Sequence, residues 1–145
     1  MKQLISIVVF VIGIAVGSVE AVACTCDLPP PHKSQRQLIT SARNSSQAVF
    51  SGVVLKTDEV GISLVRVTFK VDAFWKGPLP SDVIVTTGSG RGDCGYQFMV
   101  GHRYLVYAYG SDVTDLNTNI CQRTALYKHA AADLKVLGKA KRPST

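Results

Sequence analysis

Catalytic signatures are missing from this 145-residue chain. Without a G-x-S-x-G sequence it has no nucleophile elbow. The glycine-rich stretch Gly88, Ser89, Gly90, Arg91, Gly92 lacks the Lys and Ser/Thr of a phosphate-binding loop. The three histidines, His32, His102 and His129, show no H-x-x-x-H or H-x-H spacing, so they read as solvated surface groups rather than a metal site. No internal repeat is present. Acidic residues are few, 10 against 16 Lys plus Arg, and the resulting formal charge of +6 suits an acidic partner surface without naming one. Charged residues make up 18% and hydrophobic residues 46%, which excludes a disordered polar tail and a fibrous repeat. The length holds one ordinary domain and not two.

No apolar run is long enough for a transmembrane helix, which needs roughly 18 residues; the run that starts at Leu4 fades after Val16, and Glu20 follows. A basic start at Lys2, this short apolar region and the small-residue site Ala21, Val22, Ala23 read instead as a secretory signal peptide over residues 1–23. The expected location is therefore secreted or periplasmic. Cleavage after Ala23 makes Cys24 the first residue. The alternative is a lipoprotein with Cys24 lipidated, the one route by which the chain would meet a membrane; Ala21 in place of Leu fits ordinary signal peptidase better.

The exported chain would carry four cysteines, Cys24, Cys26, Cys94 and Cys121. An even number in an oxidising compartment predicts two disulfides. A Cys24 to Cys26 bridge is disfavoured by strain, which leaves two long-range pairings open. Either would contribute about 4 kcal/mol per bridge in the chain-entropy account.

Along the chain, Pro29, Pro30 and Pro31 keep the N-terminal segment extended. Ser34 with Gln37 is a capping box, and Leu38, Ile39 and Ala42 give a short helix ended by Arg43 and Asn44. Strands are predicted at 48–56 with a bulge at Gly52, at 62–75 with Val65, Val67, Phe69 and Val71 on the buried face, at 82–87, at 96–99 and at 103–109. Residues 112–120 read as polar connection. Residues 123–137 read as a helix with Leu126, Ala130, Leu134 and Leu137 on one face and Gly138 as its stop. The fold class expected is mainly β, a five-stranded barrel of the OB type with two flanking helices; a sandwich is the alternative. Residues 139–145 form a basic tail, expected to fray.

Arg91, Gly92, Asp93 spells an adhesion tripeptide, a match frequent by accident. Phe74, Trp75, Tyr96, Tyr104, Tyr107 and Tyr109 among basic residues suggest an oligonucleotide- or oligosaccharide-binding face, but strand-like runs put half of them in the core, and no nucleic-acid partner is expected. The Cys24, Thr25, Cys26 start carries more chemistry. An α-amino group with a pKa of about 7.7–8.0 is partly neutral near pH 7. With the carbonyl oxygen of the same residue it forms a five-membered chelate on Zn²⁺, filling the position a catalytic zinc keeps open. A plain disulfide anchor for the terminus explains the same residues equally well.

The terminal Cys24, Thr25, Cys26, the Pro-rich segment after it, the strand AVFSGVV, FWKG at 74–77, CGYQF at 94–98 and the late Cys121 together resemble the N-terminal, netrin-like domain of the tissue inhibitors of metalloproteinases. The resemblance covers residues 24–138. It implies an OB-like barrel, bridges Cys24–Cys94 and Cys26–Cys121, and a non-enzymatic inhibitor whose Cys24 amine and carbonyl chelate the catalytic zinc of a target metalloprotease. It further implies that Thr25 enters the primed-side specificity pocket, that Cys26, Asp27 and Leu28 lie along the cleft, and that the loop at 92–95 sits beside them. The chain departs from the animal members, which add a third disulfide and a second cysteine-rich domain, and looks like a single-domain bacterial member. No cofactor is expected beyond the target's zinc, and the expected state is a monomer. The contrasting reading is a netrin-like envelope module that holds acidic polysaccharide or a protein partner without inhibiting any protease.

Overall fold

A computed structural model describes residues 24–143. The signal peptide expected at 1–23 lies outside the described residues.

After the three prolines the chain can enter a helix, and Ser34 sets where. Its hydroxyl accepts from the Gln37 amide at 3.3 Å, while Gln37 Oε1 accepts from the Ser34 amide at 2.8 Å. This reciprocal cap starts α1 (Gln35–Ser45), whose Ile39 is fully buried. Ser46 ends it, donating through both its amide and its hydroxyl to the Ala42 carbonyl.

Four long strands follow: β1 (Ala48–Val60), β2 (Leu64–Lys76), β3 (Asp82–Gly88) and β4 (Arg103–Ala108). Two-residue strands β5 (Leu116–Asn117) and β6 (Ala125–Leu126) edge the sheet, and α2 (Ala131–Leu137) is the last element, after a single 3-10 turn at Tyr127–His129. The order is β5-β3-β2-β1-β4-β6, antiparallel except for the parallel β3–β5 pair. The described residues are thus mainly β, with a six-stranded mixed sheet rather than five strands, and among them no continuous ladder closes it into a barrel. One isolated bridge joins Tyr109, just beyond β4, to Asn117 of β5 through two backbone hydrogen bonds of 2.7 and 2.8 Å.

The two-residue period of the strands sorts their side chains into two cores. Phe50, Val54, Val67, Phe69, Val85 and Val106 meet on one face, together with Tyr104. Phe50, Phe69, Phe98 and Tyr104 form a chain of edge-on ring contacts with centroids 4.9–5.4 Å apart. On the other face Val49, Leu105 and Tyr107 pack with Ala130, flanked by Ala42, Trp75, Leu134 and Leu137, so both helices cover one side of the sheet. Each such aliphatic or aromatic burial is worth about 1.5–3 kcal/mol.

The structure departs from the sequence reading at four places. Residues 96–99 form no strand; the Tyr96 amide is taken by Thr87 Oγ1 at 2.8 Å and the Met99 amide by the Tyr104 hydroxyl at 3.0 Å. Residues 123–126 are not helical, because Thr124 Oγ1 accepts from the Tyr107 amide and Ala125 and Leu126 pair with β4. The stretch expected as polar connection contains β5, whose Leu116 is buried. The basic tail is not frayed at its start: the Lys141 amide and carbonyl both pair with Phe74 at 2.8 Å.

Candidate functional site: the N-terminal strand and its clamp

Residues 24–28 form no regular secondary structure, yet they are fixed at two points. Cys24 is bonded to Cys94, in the loop between β3 and β4, and Cys26 to Cys121, in the loop between β5 and β6. Burial alternates along the segment. Cys24 and Cys26 turn toward the domain, Thr25 and Asp27 are exposed, and Leu28 is 91% exposed. The result is a segment without regular secondary structure, anchored at Cys24 and Cys26, that presents Thr25, Asp27 and Leu28 to solvent. The Sγ atoms of Cys24, Cys26 and Cys121 lie within 4.8 Å of one another, so the two bridges stand side by side. These sulfurs are committed to disulfides, and no cysteine among the described residues is free to ligate a metal.

The support beneath Cys24 is built by Asp93. Its carboxylate accepts from the Ser89 amide at 2.7 Å, the Ser89 hydroxyl at 3.0 Å, the Gly90 amide at 2.8 Å and the Gly95 amide at 3.1 Å. Partial desolvation pushes this carboxyl up, but the Ser89, Gly95 and Gly90 hydrogen bonds outweigh it and hold the group at about 2, below its ordinary 3.8. The loop at 88–95 therefore wraps a charged centre. Gly95 has to be glycine: a Cβ there would run into the Gly88 carbonyl. Cys94 has φ of 62°, the one non-glycine residue with positive φ among the described residues. Strain of this kind persists where surrounding contacts over-determine the backbone, here Asp93 on one side and the bridge to Cys24 on the other. The Ile120 amide donates to the Cys94 carbonyl at 2.9 Å, which ties the two disulfide-bearing loops together.

Asp93 was not legible as a site residue; in sequence it looks like the end of an adhesion tripeptide. With its oxygens occupied by loop amides it is a structural acceptor. Arg91 of the same tripeptide reaches Glu59 at 3.8 Å in an exposed pair, worth little by itself. Other residues singled out in sequence do not join the site. Tyr104 and Tyr107 are buried in different cores, Trp75 Nε1 donates to the Gly138 carbonyl at 2.8 Å, and His102 Nδ1 lies 3.4 Å from the Val100 carbonyl.

Beside the anchored segment lies a cavity of about 460 Å³, lined by Asp27, Pro29, Leu38, Arg123, His129 and Asp133 among others. Arg123 and Asp133 of its lining join the buried Tyr107 in a network that sequence reasoning also missed. The Tyr107 hydroxyl donates to Asp133 Oδ2 at 2.8 Å, and Arg123 donates to both Asp133 oxygens at 2.8 Å through Nε and Nη2. Burial first, and then the bond to Asp133, push the Tyr107 hydroxyl far above its ordinary range. The network ties α2 to β4 and to the chain just after Cys121.

The structure presents a segment at residues 24–28 that is anchored by two disulfides and exposes Thr25, Asp27 and Leu28. No family model and no curated protein matches the chain.

Proposed function

We propose that this protein is a secreted inhibitor of zinc metalloendopeptidases, related to the netrin-like domain of the tissue inhibitors of metalloproteinases. The observation that carries the reading is the double clamp. Residues 24–28 are tied to the domain by disulfides at their first and third positions, with Thr25, Asp27 and Leu28 exposed. Ordering a residue costs about 1–2 kcal/mol of backbone entropy, and a strand ordered before it meets its target avoids that cost at binding.

In this mechanism the neutral Cys24 amine and the Cys24 carbonyl displace water from the target's catalytic zinc. Thr25 enters the adjoining specificity pocket. Cys26, Asp27 and Leu28 continue along the cleft as a product-like strand, with the Asp93-centred loop beside them. The chain itself supplies no metal and breaks no bond. An OB-type barrel belongs to the same reading; the Tyr109–Asn117 bridge supports it by joining the end of β4 to the strand that edges β3.

The test is an inhibition titration against a panel of zinc endopeptidases, using oxidised protein that begins at Cys24 beside the same protein with one added Ala in front. The first is expected to inhibit and the second not, because an added residue turns the amine into an amide. Failure of both against a broad panel would overturn the proposal.

A further inference from the structure

Disulfide formation uses the four cysteines in pairs, but the fold gathers all of them at one place. The Sγ atoms of Cys24, Cys26 and Cys121 fall within 4.8 Å of one another, and Cys94 Sγ is joined to that of Cys24. A tetrahedral thiolate site puts each sulfur about 2.3 Å from the cation and neighbouring sulfurs about 3.8 Å apart. The three-sulfur group is on that scale. Cys24, Cys26 and Cys94 are half-buried and Cys121 is exposed, so a reductant and an ion can both reach them.

Two of the four positions are set without help from the bridges. Asp93 gathers the Ser89, Gly90 and Gly95 amides and so fixes the loop on both sides of Cys94. Asn119 Oδ1 accepts from the Cys121 amide at 2.9 Å and the Asn119 carbonyl from the Gln122 amide at 3.2 Å, which turns the chain at Cys121. The Ile120 amide, bonded to the Cys94 carbonyl, then holds one loop against the other. Reduction breaks none of these hydrogen bonds. Cys24 and Cys26 arrive together on a segment without regular secondary structure, which can adjust as each sulfur pair opens.

We propose that the reduced chain binds one zinc-class cation through the thiolates of Cys24, Cys26, Cys94 and Cys121. The same four positions thus have two states, a pair of disulfides or a single metal centre. An all-sulfur donor set selects Zn²⁺ and its softer relatives over Mg²⁺ and Ca²⁺. The electron balance needs a dithiol reductant. Each bridge takes two electrons from one dithiol, which closes to its own cyclic disulfide while its two protons pass to the freed sulfurs. Binding of one divalent cation then releases the four thiol protons to the buffer. The metal ties residues 24–26 to both loops in place of the bridges, and it shields the thiols from oxidation. This inference uses only the placement of the cysteines and stands independently of protease inhibition.

The test uses the full chain, expressed with its own leader, reduced anaerobically with dithiothreitol and freed of it by gel filtration. Cd²⁺ and Co²⁺ are titrated separately, reading sulfur-to-metal charge transfer and, for Co²⁺, the d–d bands; a chromogenic disulfide reagent counts reactive thiols. Saturation is expected at one equivalent, with a tetrahedral Co²⁺ spectrum, all four thiols protected and near-ultraviolet circular dichroism close to that of the oxidised protein. The oxidised protein should show no charge transfer. Cys94→Ser and Cys121→Ser should each bind roughly tenfold or more weakly. The reduced chain in strong urea, which keeps its cysteines but loses the fold that gathers them, should bind roughly a hundredfold more weakly. An Ala added before Cys24 should leave metal binding intact while it abolishes protease inhibition, so the two proposals fail separately. Affinity unchanged by urea or by both substitutions, an octahedral Co²⁺ spectrum, or a metal-loaded chain without native circular dichroism would each overturn the inference.

Discussion

Removing the Cys26–Cys121 bridge, with both residues changed to Ser, separates two consequences of the clamp. The bridge closes a loop with a sequence separation of 95. In the chain-entropy account its loss destabilises the domain by ~4.7 kcal/mol at 25 °C, against ~4.4 kcal/mol for Cys24–Cys94, whose separation is 70. For about 120 structured residues, with an unfolding entropy of about 0.25 kcal/mol per kelvin, the larger figure lowers Tm by roughly 15–20 °C. Stability alone therefore hardly distinguishes the bridges. Function does. Without Cys26–Cys121, Cys24 stays attached to Cys94, but residues 26–28 are released, and re-ordering three residues at about 1–2 kcal/mol each weakens inhibition by roughly a hundredfold or more. Urea unfolding followed through the single Trp75 gives the stability term, and an inhibition titration gives the other. A stability loss below about 1 kcal/mol would refute the loop-closure argument. Unchanged inhibition at full structural integrity would refute the view that the second clamp pre-orders the strand.

Two other perturbations test the supports. Asp133→Ala leaves the Tyr107 hydroxyl and the Arg123 guanidinium without their buried acceptor and is expected to cost about 3–4 kcal/mol in urea unfolding, whereas Tyr107→Phe, which keeps the Arg123–Asp133 pair, costs about 1 kcal/mol. Near-equal losses would refute the network assignment. Because the Asp93 carboxyl is held at about 2 when folded and near 3.8 otherwise, its contribution is complete above pH 3.8 and disappears as pH falls through about 2. Amide exchange at Ser89, Gly90 and Gly95 should stay slow at pH 4 and accelerate only toward pH 2. Asp93→Asn should make exchange fast throughout; loop protection unaffected by that change would refute the role given to Asp93.

What the sequence revealed and what it hid follow from the range of the interactions involved. The Ser34 and Gln37 cap is local, and α1 begins where it predicts. The alternation at Val65, Val67, Phe69 and Val71 reflects burial of one strand face, and β2 follows it. The helix expected from residue 123 shows the limit. Leu126, Ala130, Leu134 and Leu137 have helical spacing, but Leu126 packs against the core of Phe50 and Phe69 while the other three pack with Val49 and Tyr107. One apparent stripe serves two cores, and only the pairing of Ala125 and Leu126 with β4 reveals it. Strands of two residues such as β5 and β6 have no period to read. In the candidate site, the cysteines announce themselves by type and compartment, although spacing alone left their pairing open. Asp93 and the Tyr107, Asp133, Arg123 network depend on contacts across turns and between strands and helix, which no local pattern encodes.

The central claim is that the Cys24 amine and carbonyl ligate the target's zinc, and cobalt substitution reads this directly. A Co²⁺-loaded endopeptidase inhibited in the panel titration is mixed with oxidised protein beginning at Cys24, and the visible d–d absorption is recorded. The account predicts a saturable change in the bands at one equivalent as water is replaced by nitrogen and oxygen donors, and no change with the Ala-extended protein. Inhibition that leaves the cobalt spectrum untouched would contradict it.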